Sequence, residues 1–191
     1  KHSITAKPRR RKNKDSKNYQ TFRKKKEFNN QLDKCYLLLG KAYFYKKKYT
    51  MANNTFRFIQ RQYAEDEALM TEVSIWLFGS LTEMGRYEEA ARIMDRLDGS
   101  TLKRKQREMV AAARTDFYVR QGMYEQAIPE AERLVRTCKS IKRKPRYNFL
   151  LSQLYVKENQ DGAAKLALKK ATRFHFNYEI VFNARIGMAL A

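Results

Sequence analysis

Four times along the chain a small residue closes a short turn segment: KYTMA ends at Ala52, GRYEEA at Ala90, GMYEQA at Ala127 and NQDGAA at Ala164, at intervals of 38, 37 and 37 residues. A fixed period constrains the fold more than composition does, because a unit this short cannot bury its apolar face alone and must stack on its neighbours. Upstream of each alanine lies a helix-length segment with apolar residues at helical spacing: Leu39 and Tyr43, Leu77 and Leu81, Ala111 and Tyr118, Leu151 and Tyr155. A second such segment follows, marked by Phe56 in the first unit, Ile93, Met94 and Leu97 in the second, Leu134 and Val135 in the third, and Leu166, Leu168 and Ala171 in the fourth. In each hairpin the alanine lets helix B approach helix A closely, and in the first Phe56 fills the groove between them. Composition agrees: 7 Gly and 3 Pro leave little turn chemistry for many short strands, while 43% apolar residues are enough for a core.

The expected organisation is a basic segment and linker over residues 1–27, four hairpins at about 28–66, 67–100, 101–140 and 141–176, and the start of a further or capping helix over 177–191. Gly85 and Gly122 fall at A-to-B turns, where a left-handed residue ends a helix at low steric cost. The run AEDEA at 64–68 reads as an acidic helix start, with Glu65, Asp66 and Glu67 complementing the dipole. Pro129 lies about a turn into helix B of the third unit and predicts a kink or a late start. Cys35 and Cys138 read as small buried hydrophobes rather than a bridge.

From Tyr36 the first unit gives Tyr, then Leu39-Gly40, Tyr43, Ala52 and Phe56. This spacing resembles the tetratricopeptide pattern W-x2-L-G-x2-Y…A-x3-F with Tyr for Trp. The third unit departs from it, with Arg114 and Thr115 at the Leu and Gly places. The expected fold is therefore all-α, a tetratricopeptide-like stack of antiparallel helix hairpins forming a right-handed superhelix. The period exceeds the usual length of about 34 residues. The surplus falls largely in the connections GSTLKRKQR and KSIKRKP.

Lys and Arg number 41 against 20 Asp and Glu, a formal net charge of +21. The cations are clustered in PRRRKNKDSK, RKKK, KKK, KRKQR and KSIKRKPR. Such clusters attract an acidic partner, whether nucleic acid, an anionic membrane or an acidic protein, or they simply solvate a surface. No apolar run reaches the ~20 residues of a membrane span. The chain begins at Lys1 and reads as a mature or excised piece, with any targeting signal lying outside it.

Catalytic constellations are not found. The sequence has no Gly-rich phosphate loop, no nucleophile elbow and no Cys or His pair at metal spacing, and His2 and His175 lie at opposite ends. No enzyme activity, cofactor or metal is expected. Repeats of this kind instead offer a curved surface lined by helix A. The side chains expected on it are Lys34, Lys41 and Tyr45 from the first unit, and Glu72 and Glu83 from the second. Asp116 and Arg120 follow from the third, with Arg146, Gln153 and Lys157 from the fourth. They suit an acidic segment of a protein partner, oriented by charge and anchored on Tyr45, unless the groove is solvated or filled by the chain's own N-terminal segment.

A narrower resemblance rests on KHSI with its basic linker, FNNQLDKCYLLLGKAYFYKKKY, GRYEEAARIMDRL and NYEIVFNARIGMA. Together these are similar to the periplasmic tetratricopeptide lipoproteins of the PorW/SprE type, found in Bacteroidetes gliding motility and type IX secretion. The resemblance implies a non-enzymatic outer-membrane lipoprotein of the periplasm, a scaffold linking the secretion machine's periplasmic ring to its translocon. Its partners would be other subunits of that machine, with no small-molecule substrate and membrane contact only through a lipid anchor outside this sequence. Cys35 cannot be that anchor, because it sits inside helix A. Two other classes stay open. One is an RNA-associated basic helical-repeat protein, though the aromatics here occupy core positions rather than a basic stacking face. The other is a cytosolic co-chaperone that clamps an acidic C-terminal peptide.

Overall fold

The computed structural model describes residues 31–98, 102–173 and 178–190, and these form nine α-helices without a strand. They pair as hairpins: α1 (Leu32–Tyr45) with α2 (Tyr49–Gln62), and α3 (Glu67–Glu83) with α4 (Tyr87–Asp98). α5 (Arg104–Arg120) pairs with α6 (Tyr124–Thr137), α7 (Lys144–Lys157) pairs with α8 (Asp161–Ala171), and α9 (Tyr178–Leu190) follows. Each hairpin packs on the next, so the chain is an all-α stack. The basic segment 1–27, together with His2 and His175, lies outside the described residues.

One turn is used four times. Each helix A ends in a left-handed residue: Lys47 with φ 58°, Gly85 with 71°, Gly122 with 72° and Asn159 with 55°. The next amide reaches back over it, from Lys48 to the Tyr43 carbonyl at 2.9 Å, Arg86 to Leu81 at 2.9 Å, Met123 to Tyr118 at 2.9 Å and Gln160 to Tyr155 at 2.8 Å. These bonds are those of the Schellman motif, which satisfies carbonyls that a helix end leaves without partners. The following helix B then places its alanine against helix A, and Ala52, Ala90, Ala127 and Ala164 are all fully buried.

Other local expectations hold or shift for identifiable reasons. Asp66 caps α3, its Oδ1 accepting the Leu69 amide at 2.9 Å. Pro145 occupies the first turn of α7, where a missing amide is tolerated. Pro129 does not delay α6, which starts at Tyr124 and runs continuously to Thr137. The ring lies on the exposed side, where water can reach the Glu125 carbonyl that loses its amide partner. In the third unit Arg114 and Thr115 are buried at 6% and 1% exposure, so they occupy the Leu and Gly places despite their chemistry. Thr115 returns its hydroxyl to the Ala111 carbonyl at 2.8 Å, and Arg114 pairs with Glu130 of α6 at 3.6 Å.

The A helices after the first are enclosed on several sides. α3, for example, buries Leu69, Val73, Leu77, Phe78 and Leu81 against α2, α4 and α5. The first hairpin differs, because no described helix precedes it. Leu39 is therefore not a core residue: it is 41% exposed, and Leu38 beside it is 69% exposed, whereas the equivalent Leu77 and Leu151 are buried. Cys35 is exposed for the same reason, where Val73 and Val110 stand buried in later units; Cys138 is buried as expected, and both thiols are free.

The core changes character along the stack. From α1 to α5 it is aromatic, with Phe56 stacked on Trp76 at 6.5 Å, Phe44 edge-on to Trp76 at 5.4 Å and Phe78 against Phe117 at 5.4 Å. From α6 onward it is aliphatic and alanine-rich, built on Ala127, Ala131, Leu151, Leu154 and Ala167, and then on Leu168, Ala171 and Ala184.

Candidate partner-binding face

The residues expected on the helix A face are not equally placed. Lys41 of α1 reaches across to α3, its Nζ 2.6 Å from Glu72 Oε1 and 5.5 Å from the centre of the Trp76 ring. Tyr45, one turn further along α1, is 74% exposed and stands edge-on to the same indole at 5.7 Å. The Trp76 Nε1–H is buried and has no acceptor. This corner thus combines an exposed aromatic, a cation held by a carboxylate and an unused donor, the elements that anchor a partner side chain.

A second set joins α3 to α5. Arg120 donates to Glu83 at 2.6 Å and to Asp116 at 2.9 Å. The hydrogen bond to Asp116 raises the Arg120 pKa above its ordinary value, with further help from the Coulombic pull of Glu83. Burial, then a hydrogen bond to the Glu83 carboxylate, likewise raises the Tyr49 phenol. Partly exposed pairs of this kind add only about 0–1 kcal/mol each. Their effect is to fix side-chain positions across neighbouring hairpins rather than to hold the stack together.

Lys34, Arg146, Gln153 and Lys157 are exposed, and none of them enters an ion pair among the described residues. The backbones of α5 and α7 do not approach one another; the third and fourth hairpins meet through α6 and α7 instead. Of the ten side chains, Lys41, Tyr45, Glu72, Glu83, Asp116 and Arg120 make contacts on and between α1, α3 and α5. Lys34 stands apart at the start of α1, and Arg146, Gln153 and Lys157 form a separate group on α7. Trp76, Phe44 and Tyr49 complete the first group without having been singled out in the sequence. The signal for Trp76 was there, since it is the only tryptophan of the chain and lies in helix A of a repeat.

Among the described residues no three His, Cys, Asp or Glu side chains converge as a metal site, and no helix is long and apolar enough to cross a membrane. The repeated hairpin with its close-packed alanine and left-handed turn defines a tetratricopeptide-like stack, a fold that typically serves as a non-catalytic scaffold for protein–protein interaction. The tetratricopeptide repeat family model matches residues 145–174, which cover most of the fourth hairpin. No curated protein matches the chain.

Proposed function

We propose that the protein is a scaffold subunit of a type IX secretion and gliding-motility machine, acting in the periplasm at the outer membrane and linking the periplasmic ring to the translocon. The resemblance to the PorW/SprE lipoproteins supports the assignment to that machine. The observation that carries the binding mode is Tyr45, exposed on the Trp76 indole beside the Lys41–Glu72 pair. A partner segment docks there through one apolar or aromatic side chain inserted beside Tyr45, with acceptors for Trp76 Nε1–H and acidic groups turned toward the cations of the A helices.

Affinity capture from a periplasmic extract tests this reading. Tyr45→Ala removes an exposed ring and leaves the fold intact, as circular dichroism checks. It is expected to lower the yield of the ring and translocon subunits, with a further loss on adding Arg146→Glu. Undiminished capture of the same subunits by the folded double variant removes the helix A face as the docking surface. Fractionation of the full-length protein away from the outer membrane removes the assignment to this machine.

A further inference from the structure

We propose that a crevice on a different part of the molecule, formed by the end of α6, the 138–143 connection, the start of α7 and the end of α8, binds an extended acidic peptide. Its volume is about 690 Å³, and none of the ten helix A residues discussed above lines it. Arg136, Lys139, Lys144 and Lys170 face it, and no carboxylate does. None of these four cations enters an ion pair among the described residues. The surrounding sequence is strongly one-signed, with ten Lys and Arg against two acidic residues between positions 138 and 173. Such an uncompensated field in a concave site attracts anions.

Charge alone does not distinguish a peptide from a phosphate, but the walls do. Asn148 lines the crevice and is 3% exposed. Its Nδ2 donates to the Lys144 carbonyl at 2.9 Å, while its Oδ1 is buried without a partner. A buried acceptor left in this state costs free energy until a donor reaches it, and a peptide N–H supplies one whereas a phosphodiester or a fully ionised phosphate ester does not. Val135, Ile141 and Pro145 add an apolar wall, with Ile141 51% exposed and available to cover a side chain. No aromatic ring lines the site, so it lacks the stacking platform that single-stranded nucleic acids use.

The connection that closes the crevice is held in place. Arg143 pairs at 3.0 Å with Glu108, which is itself 4% exposed, and the Arg143 amide donates to the Ser140 carbonyl at 3.1 Å. Glu108 is thus committed to the scaffold and does not neutralise the four cations. A ligand with carboxylates, backbone N–H groups and one aliphatic side chain matches all three features of the site.

The test uses a fluorescent synthetic peptide in which a central leucine is flanked by aspartates, with binding followed by anisotropy near 150 mM ionic strength, roughly the physiological value. Lys139→Glu with Lys170→Glu is expected to weaken binding by about tenfold or more, and Ile141→Ser by a smaller factor. Tyr45→Ala should leave this affinity unchanged, which separates the outcome from that of the helix A face. Lys139 and Lys170 are exposed and unpaired, so the double variant should retain its helical content. Equal affinity of the double variant and the parent overturns the proposal. So does a peptide with serine for leucine that binds as tightly as the original, or a DNA oligonucleotide of equal charge that binds more tightly and with the same sensitivity to Lys139 and Lys170.

Discussion

Gly40 shows how narrowly a single position can be specified. A Cβ there would overlap Cε1 of Phe56, a side chain with no exposed surface. Gly40→Ala is therefore expected to cost about 1–3 kcal/mol by overpacking. In urea unfolding, Phe56→Leu should recover part of that loss, appearing as a coupling term in a double-mutant cycle; additive effects would mean that the ring moves aside freely. The tetratricopeptide spacing made this pair legible, because it places a glycine and a phenylalanine where helix A meets helix B. The same spacing misjudged Leu39, since burial of that side chain depends on a preceding helix and not on its own segment. Cys35, expected to be buried, was misread for the same reason, whereas Cys138 is buried as expected. Cys35 should react rapidly with a thiol reagent in the native protein. Cys138 should stay protected until denaturant is added, because burial both shields it and raises its pKa. Equal rates for the two thiols would contradict the packing of the 138–143 connection.

At the scale of the element, the turn is the repeated invention and its residues are the variable part. Gly85 and Gly122 could be read from sequence, since glycine signals a positive φ. Asn159 gave a weaker signal and Lys47 none, because the hairpin imposes the same backbone even on a residue that does not favour it. Asparagine tolerates this conformation better than lysine does. Lys47→Gly should accordingly stabilise the protein by about 0.5–1 kcal/mol, the strain relieved exceeding the entropy that glycine loses. A lower urea midpoint for that variant would show that the lysine makes a compensating interaction. A second link joins α6 to α7, where the Tyr155 hydroxyl donates to Glu132 Oε1 at 2.6 Å. Burial and that bond push the Tyr155 pKa up to about 12 from its usual 10.0. The native state then holds the proton more tightly than the unfolded chain. The contribution is complete below pH 10 and is lost as pH rises toward 12. Tyr155→Phe should flatten this alkaline loss of stability, although Tyr49 and Tyr147, shifted in the same direction, will leave a residue of it. An unchanged alkaline profile would rule out Tyr155 as its main source.

For the whole molecule, the period gave the stack but not the offsets between hairpins, and the helix A face depends on those offsets. Lys41 meets Glu72 and Arg120 meets Glu83 because α1, α3 and α5 lie side by side, while α7 is set apart by the way α6 packs on it. Sequence periodicity carries no information on that difference, which arises from connections and bulky contacts such as Phe78 with Phe117. The same contacts concentrate aromatic burial between α1 and α5. Amide hydrogen exchange should consequently be slowest in α3 and fastest in α8 and α9, with the boundary near α6; uniform protection would mean that the stack unfolds as one unit. An array of this kind does not share a load equally. Under tension between its ends, the alanine-rich hairpin and α9 would peel away first and lengthen the molecule in a step. The aromatic block would stay closed, so a partner docked beside Tyr45 would remain bound while the tether behind it paid out.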